Sequence, residues 1–391
     1  MQMRVKSISL TNIGCFPEMH LVFNDRSNII CGTNGIGKTT ILDAIASVFA
    51  SWTAQSIKRS GFDKGHINLS VLHEGEEKSI SFVTERFLRD EGKHAEGGMP
   101  NAANKILYIK SSRDILYHKM PHIGRDPEKN NNNYMTEAGA GVSNTDLKNW
   151  LANRYLFSRQ HDISLTDAQS KNFELAVKSF SILDPEIKFK AVLASDFNVM
   201  VETPDGIIPF EYLSSGYRAI FYIILGIIKE VEYRDKNNAA ENFNGLFLID
   251  EIELHLHPEW QRKVISIIEK VFPCAQLIIT THSPHVVQSA TPDQLIVISR
   301  DEYNLPSVHP VQQGRFGFQG WTIEEILTDV MKLSSTQSEQ YTEILKEFDS
   351  ALEREDGIVL QEKLDLLLEM LHPLNPTRKL FTLQAAPVLG K

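Results

Sequence analysis

Near the N-terminus, Gly32-Thr33-Asn34-Gly35-Ile36-Gly37-Lys38-Thr39 fits the spacing G-x-x-x-x-G-K-[ST] at every fixed position. Glycines at these places let backbone N–H groups turn toward phosphate oxygens, and a helix starting near Lys38 adds free amides and a partial positive charge. Lys38 then suits neutralisation of β- and γ-phosphates, and the Thr39 hydroxyl suits Mg²⁺. An ordinary glycine turn between strand and helix has no need of Lys-Thr at the helix start, so the loop is expected to hold phosphates. Far along the chain, "GLFLIDEIELHLHP" sets Asp250 and Glu251 after the apolar run Leu246 to Ile249. Alone, two acids there could merely end a strand. Paired with the loop, Asp250 suits Mg²⁺ through its water shell and Glu251 suits polarising an attacking water. "LIITTHSPHVV" adds His282, placed to reach the γ-phosphate or that water. Finally, Leu213-Ser214-Ser215-Gly216 precedes the apolar run "AIFYIILGII". This is an ordinary serine N-cap or a second anion-binding helix start. The second start cannot reach the nucleotide of its own chain without distorting the sheet, but two chains arranged head to tail can bring them together.

The elements that must hold these groups are legible in the patterning. "RVKSISLTNIG" and "MHLVFNDRSNIICG" alternate apolar and polar residues and read as strands leading into the loop, with a helix over Thr40 to Ala50. "ILYI", "GLFLI", "QLIIT" and "LIVI" read as strands, the last three separated by helical stretches, which implies a mainly parallel sheet. Leu147 to Phe180 has helical spacing broken by polar turns. Leu88 to Asn104 and Gly124 to Asp146 read as polar loops. Trp260, Val264, Ile267, Ile268 and Val271 form a helical stripe expected to pack into the core.

The net charge of −10 is unevenly placed: Ile323 to Glu369 carries 13 acidic and 4 basic residues, so the remainder is close to neutral. Such a body is not the electrostatic footprint of an autonomous DNA binder, although a groove made by dimerisation escapes this count. Three cysteines without CxxC spacing, Cys15, Cys31 and Cys274, suggest a reducing compartment. The N-terminus lacks a secretory h-region, and the longest apolar run has ten residues where a bilayer takes about 20, so a cytoplasmic protein without membrane contact is expected.

Taken in order, the loop at Gly32 to Thr39, the signature at Leu213 to Tyr217, Asp250 with Glu251, and His282 resemble the ATP-binding-cassette superfamily. "MRVKSISLTNIGCFPEMHLVF", "LIDEIELHLHPEWQRKVISIIEKVF" and "LIITTHSPHVV" look like its soluble branch, with structural-maintenance-of-chromosomes proteins and RecF. They are closer still to bacterial ATPases of the overcoming-lysogenization-defect and Septu types. The resemblance covers Met1 to about Glu85 and Phe210 to Arg300. It implies an α/β fold: a P-loop ATPase with a mixed, mainly parallel sheet, N-terminal antiparallel strands, a helical insertion and a C-terminal helical tail. The expected divisions are 1–85, 86–209, 210–310 and 311–391. It further implies ATP and Mg²⁺, held by Gly32, Asn34, Gly35, Ile36, Gly37, Lys38, Thr39 and Thr40, with Ser214, Ser215 and Gly216 supplied by a second copy. Thr39 and Asp250 are the expected metal ligands, and Glu251, His282 and Lys38 the catalytic groups. A homodimer or higher even oligomer follows, and the Septu likeness implies phage defence beside a separate nuclease subunit. The chain departs from transporters at Ser215, where they carry glycine, and at Tyr217, where they carry glutamine. No glutamine among Gln55, Gln160 and Gln169 has a decisive Q-loop context.

Two other readings compete. A RecF-like repair factor would bind DNA directly and with salt sensitivity. A self-contained nuclease would use His255, His257, His282 and His285 as metal ligands, but two of these have better roles in the switch and its loop.

Overall fold

The computed structural model describes residues 2–88, 95–113, 117–158, 165–311, 314–333 and 336–390. The first antiparallel pair, β1 (Met3–Ile13) and β2 (Phe16–Val22), leads into β3 (Ser27–Gly32) and helix α1 (Lys38–Ala50). Strands β4 (Gly65–His73), β5 (Glu76–Thr84) and β6 (Ala95–Gly97) complete a five-stranded antiparallel sheet in the order β2-β1-β4-β5-β6. After β7 (Ile106–Ile109) come α2 (Asn131–Ala140), α3 (Leu147–Phe157) and α4 (Asp167–Leu183), then a small sheet of β8 (Lys188–Val192), β9 (Val199–Thr203) and β10 (Gly206–Pro209). The long helix α5 (Ser215–Arg234) returns the chain to β11 (Leu246–Ile249), followed by α6 (Pro258–Gln261), α7 (Val264–Val271), β12 (Gln276–Thr281), α8 (Pro284–Ser289), β13 (Leu295–Arg300) and β14 (Pro306–Val308).

The central sheet runs β14-β13-β3-β12-β11-β7, and every pairing except β13 with β14 is parallel. Its strands are apolar on both faces because both are covered, and the period of two sorts each strand between two cores. Ile29, Phe247, Ile249, Leu277 and Ile279 face a core shared with α3, α4, α5 and α7. Ile30, Leu246, Leu248 and Ile278 face the other, filled by α1 and the antiparallel sheet. Parallel register brings Thr281 beside Cys31 and Ile249 beside Ile109 and Ile279. The carboxyl ends of β3, β7, β11 and β12 therefore share one edge, where ligands of open α/β sheets sit.

The chain forms two compact units, one ending at Lys332 and the other beginning at Leu333. In the first, α9 (Ile323–Glu325) and the turn after it bury Ile326 and Val330 with Cys31, Val287, Val297 and Phe318. The second holds α10 (Glu339–Glu353), α11 (Gly357–Met370) and α12 (Thr377–Leu389), packed around Phe348, Leu360, Leu364, Leu367 and Phe381.

Three features depart from the expectation. Asn131–Ala140, read as loop, is helical because the Asn130 side chain accepts the N–H groups of Asn132 and Asn133 while Asn133 returns the bond. Its face then buries Tyr134, Met135 and Ala138. Ala95–Gly97, also read as loop, pairs with Phe82 to Thr84 as a short edge strand. The insertion, expected as helical, also contains the β8 to β10 sheet. Val264, Ile268 and Val271 are buried, as the helical stripe required.

Candidate functional site

The glycine loop leaves fully buried β3 at Gly32. A side chain at Gly32 would place Cβ 2.2 Å from the Ile298 carbonyl oxygen. Gly37 has φ 101°, and a Cβ there would lie 2.5 Å from Cys15 Sγ and 2.6 Å from Phe16 Cζ. Both positions thus demand glycine for space as well as conformation. Within the loop Asn34 and Gly35 are exposed, as is Thr39, while the Ile36 side chain is buried in the core beside the antiparallel sheet. Ile36 can therefore offer a phosphate only its backbone. Thr40 is half-buried, its Cγ2 lying where a Cβ on Gly14 would fall, at 2.8 Å.

Lys38, 5% exposed, donates to the carbonyls of Gly32 and Thr33 at 2.9 Å each and approaches His282 Nδ1 at 3.1 Å. Burial pushes its ammonium down to about 8 despite Glu253, Glu251 and Asp250 nearby. An ammonium can only donate, so while Lys38 is charged this contact assigns Nδ1 as the acceptor and places the ring proton on Nε2. That atom lies 3.9 Å from Glu251 Oε1, close enough for one water to touch both at about 2.8 Å. Burial, and then Lys38, lower the His282 pKa, which keeps the ring neutral near pH 7.

Asp250 and Glu251 follow β11 directly. The Thr39 hydroxyl donates to Asp250 Oδ1 at 3.0 Å and lies 3.1 Å from Oδ2, while Thr280 donates to Oδ1 at 2.6 Å. Thr280 Oγ1 also accepts the Glu251 N–H at 2.8 Å. Glu251 is left-handed at φ 47°, a conformation that a side chain holds only when neighbours fix it. A hydroxyl and a carboxylate on one small site fit Mg²⁺, which keeps waters and phosphate oxygens for its other positions. Among the described residues no three His, Cys, Asp or Glu side chains converge as a metal-binding group. His257 instead caps α6, accepting the Glu259 N–H at 3.4 Å, and His285 Nδ1 lies 3.3 Å from Arg262.

The hydrogen-bonded group around Lys38, Thr39 and Asp250 does not include Ser214, Ser215 or Gly216. Both serines are exposed at the start of α5, and the Ser214 hydroxyl makes no capping bond. A Cβ on Gly216 would lie 3.2 Å from His255 O, so this helix start leans on the loop after Glu251. Tyr217, the departure from the transporter signature, donates its hydroxyl to Asp184 and packs edge-on against Trp260 at 5.3 Å.

Three residues here carry no local signal in the sequence. Glu253 accepts from Thr281 Oγ1 at 2.8 Å and from the His282 N–H at 2.5 Å, fixing the backbone that carries the histidine; burial raises its pKa. Thr280 orients both acids. Arg113, which follows β7, donates to the backbone carbonyls of Asp250 and Glu251. Of the candidate glutamines, Gln55 bonds Thr53, Gln169 closes the capping box of α4, and Gln160 lies outside the described residues. Strand order is what brings Arg113 beside Asp250 and Glu251.

A family model described as AAA ATPase domain matches residues 3–81 and 58–287. The chain is 40% identical over 395 residues to Septu protein PtuA of Bacillus thuringiensis, covering 98% of each. It is 25% identical over 199 residues to Retron Vc95 probable ATPase of Vibrio cholerae serotype O1 biovar El Tor, 51% of this chain and 38% of that protein. Among solved structures, an SMC head bound to the C-terminal winged-helix domain of ScpA aligns with TM-score 0.50 at 15% identity, over 79% of this chain and 97% of that one; this likeness shows the fold. The chain belongs to the AAA ATPase domain family, and within it to the Septu PtuA proteins. No helix among the described residues is long and apolar enough to cross a membrane.

Proposed function

We propose that this chain hydrolyses ATP as a molecular switch, two copies closing head to tail around the nucleotide, and that the switch governs a partner nuclease in defence against phage. The observation that carries it is the convergence of Lys38, Thr39, Asp250, Glu251 and His282 at one sheet edge while Ser214 and Ser215 stand exposed at a separate helix start. The three protons of Lys38 are shared among two carbonyls and an imidazole, so phosphate oxygens compete for them. Glu251 accepts the proton of the attacking water, and His282, with its proton on Nε2, orients that water. Positioned proton transfer of this kind contributes about 10²- to 10⁴-fold. Thr39 and Asp250 would hold Mg²⁺, which would supply charge neutralisation to the phosphate oxygens. The likeness to Septu PtuA supports the defence role and the partner.

Subunit mixing tests the scheme. Lys38→Ala and Ser215→Arg should each abolish turnover as pure proteins, whereas a one-to-one mixture should regain about a quarter of wild-type activity, because a two-fold pair of unlike variants keeps one intact composite site. A mixture as inactive as its components refutes the head-to-tail arrangement. Glu251→Gln should bind ATP and fail to turn it over.

A further inference from the structure

We propose that Arg113 is the positioning residue that sets the aim of Glu251. The role rests on the reading of Glu251 as the base. Among the described residues, strand β7 pairs only with β11, and it ends at Ile109, whose carbonyl takes the Asp250 N–H at 2.9 Å. Among the described residues, the sheet ladder beyond that point offers no donor to the Asp250 carbonyl. The chain turns through Lys110, Ser111 and Ser112, and Arg113 sends Nη1 to Asp250 O at 3.1 Å and Nη2 to Glu251 O, which also accepts the Leu254 N–H at 2.9 Å.

The Glu251 residue is thereby held from both sides. Thr280 takes its N–H, the neighbouring Ile252 N–H reaches Thr280 O at 3.1 Å, and the guanidinium fork grips its C=O. A residue at φ 47° relaxes toward ordinary backbone unless both ends are fixed, and relaxation would swing its carboxylate away from His282. Two carbonyls could be served by a neutral donor at less desolvation cost, yet a cation 4% exposed stands here. Its charge faces Glu253, Asp250, Glu251 and, from α5, Tyr222. The next residue back, Ser112, lines a cleft of about 520 Å³ whose walls include Asn144, Lys148, Phe210, Glu211 and Tyr222. Phe210 and Glu211 lie only a few residues before the exposed signature serines. Arg113 thus stands between the carbonyls of the proposed catalytic acid and Tyr222 of α5, the helix that begins at the signature.

The full chain carrying Arg113→Lys, which keeps the charge but loses the fork, tests this beside Glu251→Gln. Turnover of Arg113→Lys should fall about 100-fold, the size of loss that a 1 Å misplacement produces, while affinity for a non-hydrolysable ATP analogue stays within about 3-fold. Methylguanidine at millimolar concentration should restore at least about a tenth of the lost turnover to Arg113→Ala, by refilling the fork. Arg113→Lys turning over within about 3-fold of wild type while Glu251→Gln is inactive overturns the positioning role and leaves the site reading intact. Equal loss of analogue affinity and turnover in Arg113→Lys also overturns it, since that marks a general structural defect. A Glu251→Gln variant that still hydrolyses ATP removes the base, and this role with it.

Discussion

Around α5, Lys129, Lys229 and Arg234 meet Glu137, Glu230 and Asp146, with Lys129 at 2.5 Å from Glu137 and 2.7 Å from Glu230, and Arg234 at 2.6 Å from Glu137 and 2.7 Å from Glu230. At the strand ends the buried charges are arranged otherwise: Lys38 faces two carbonyls and an imidazole, and Arg113 grips backbone oxygens. In the first region each cation has an acid as partner, so the Coulomb attraction offsets desolvation. In the second, desolvation wins, and it pushes Lys38 down to about 8 while holding His282 neutral. The charges around α5 are spent on one another, whereas those at the strand ends keep donors open, as the proposed phosphate site requires.

Substitutions should separate the two regions. Lys38→Ala should abolish turnover and weaken ATP binding about 10- to 100-fold, the worth of a charge-assisted hydrogen bond, as read by fluorescent-nucleotide titration. Its unfolding free energy should change by less than about 1 kcal/mol. Glu230→Gln should do the reverse, destabilising unit one by about 1–3 kcal/mol in urea unfolding, because Lys129 and Arg234 are left to share Glu137 and Lys229 keeps only Asp146. Nucleotide affinity of its folded fraction should be unaltered.

Acid should report on the same pair of regions. Burial would raise the Glu230 pKa, but Lys229, Arg234 and Lys129 overcome it and hold the carboxyl to about 2, below its ordinary 4.5. A depressed carboxyl contributes stability that is complete above the unfolded pKa and is lost as pH falls toward the folded one. Wild type should therefore lose stability progressively from pH 4.5 to about 2, and Glu230→Gln should show a shallower slope over that window in unfolding followed by circular dichroism. The smallest effect belongs to a pair outside both regions. Lys263 and Glu259 lie 2.7 Å apart but exposed, and Lys263→Ala should cost no more than about 0.5 kcal/mol.

What could be read from the chain follows how local the constraint is. The glycine loop, the Asp250-Glu251 pair after four apolar residues and His282 after another such run are each written in a few neighbouring positions, because a strand end must deliver them. Arg113 and Glu253 act on residues brought close only by strand order, so an arginine after "ILYIKSS" looks like any loop arginine. Helix α2 was hidden by its asparagine run, whose composition says turn while Asn130 and Asn133 say cap. The β8 to β10 sheet was masked by short strands without clean alternation.

Lys38, Arg113, Asp250, Glu251 and His282 follow the carboxyl ends of β3, β7, β11 and β12, although about three-quarters of unit one separates the first strand end from the last. Lengthening a connection between such strands costs little, since closure entropy grows only logarithmically with loop size. Shifting a strand by a single residue turns every side chain over. Outside Arg113 and the Phe210–Ser214 segment before α5, the stretch between β7 and α5 can thus be enlarged at little entropic cost without shifting the strand ends that carry Lys38, Asp250, Glu251 and His282.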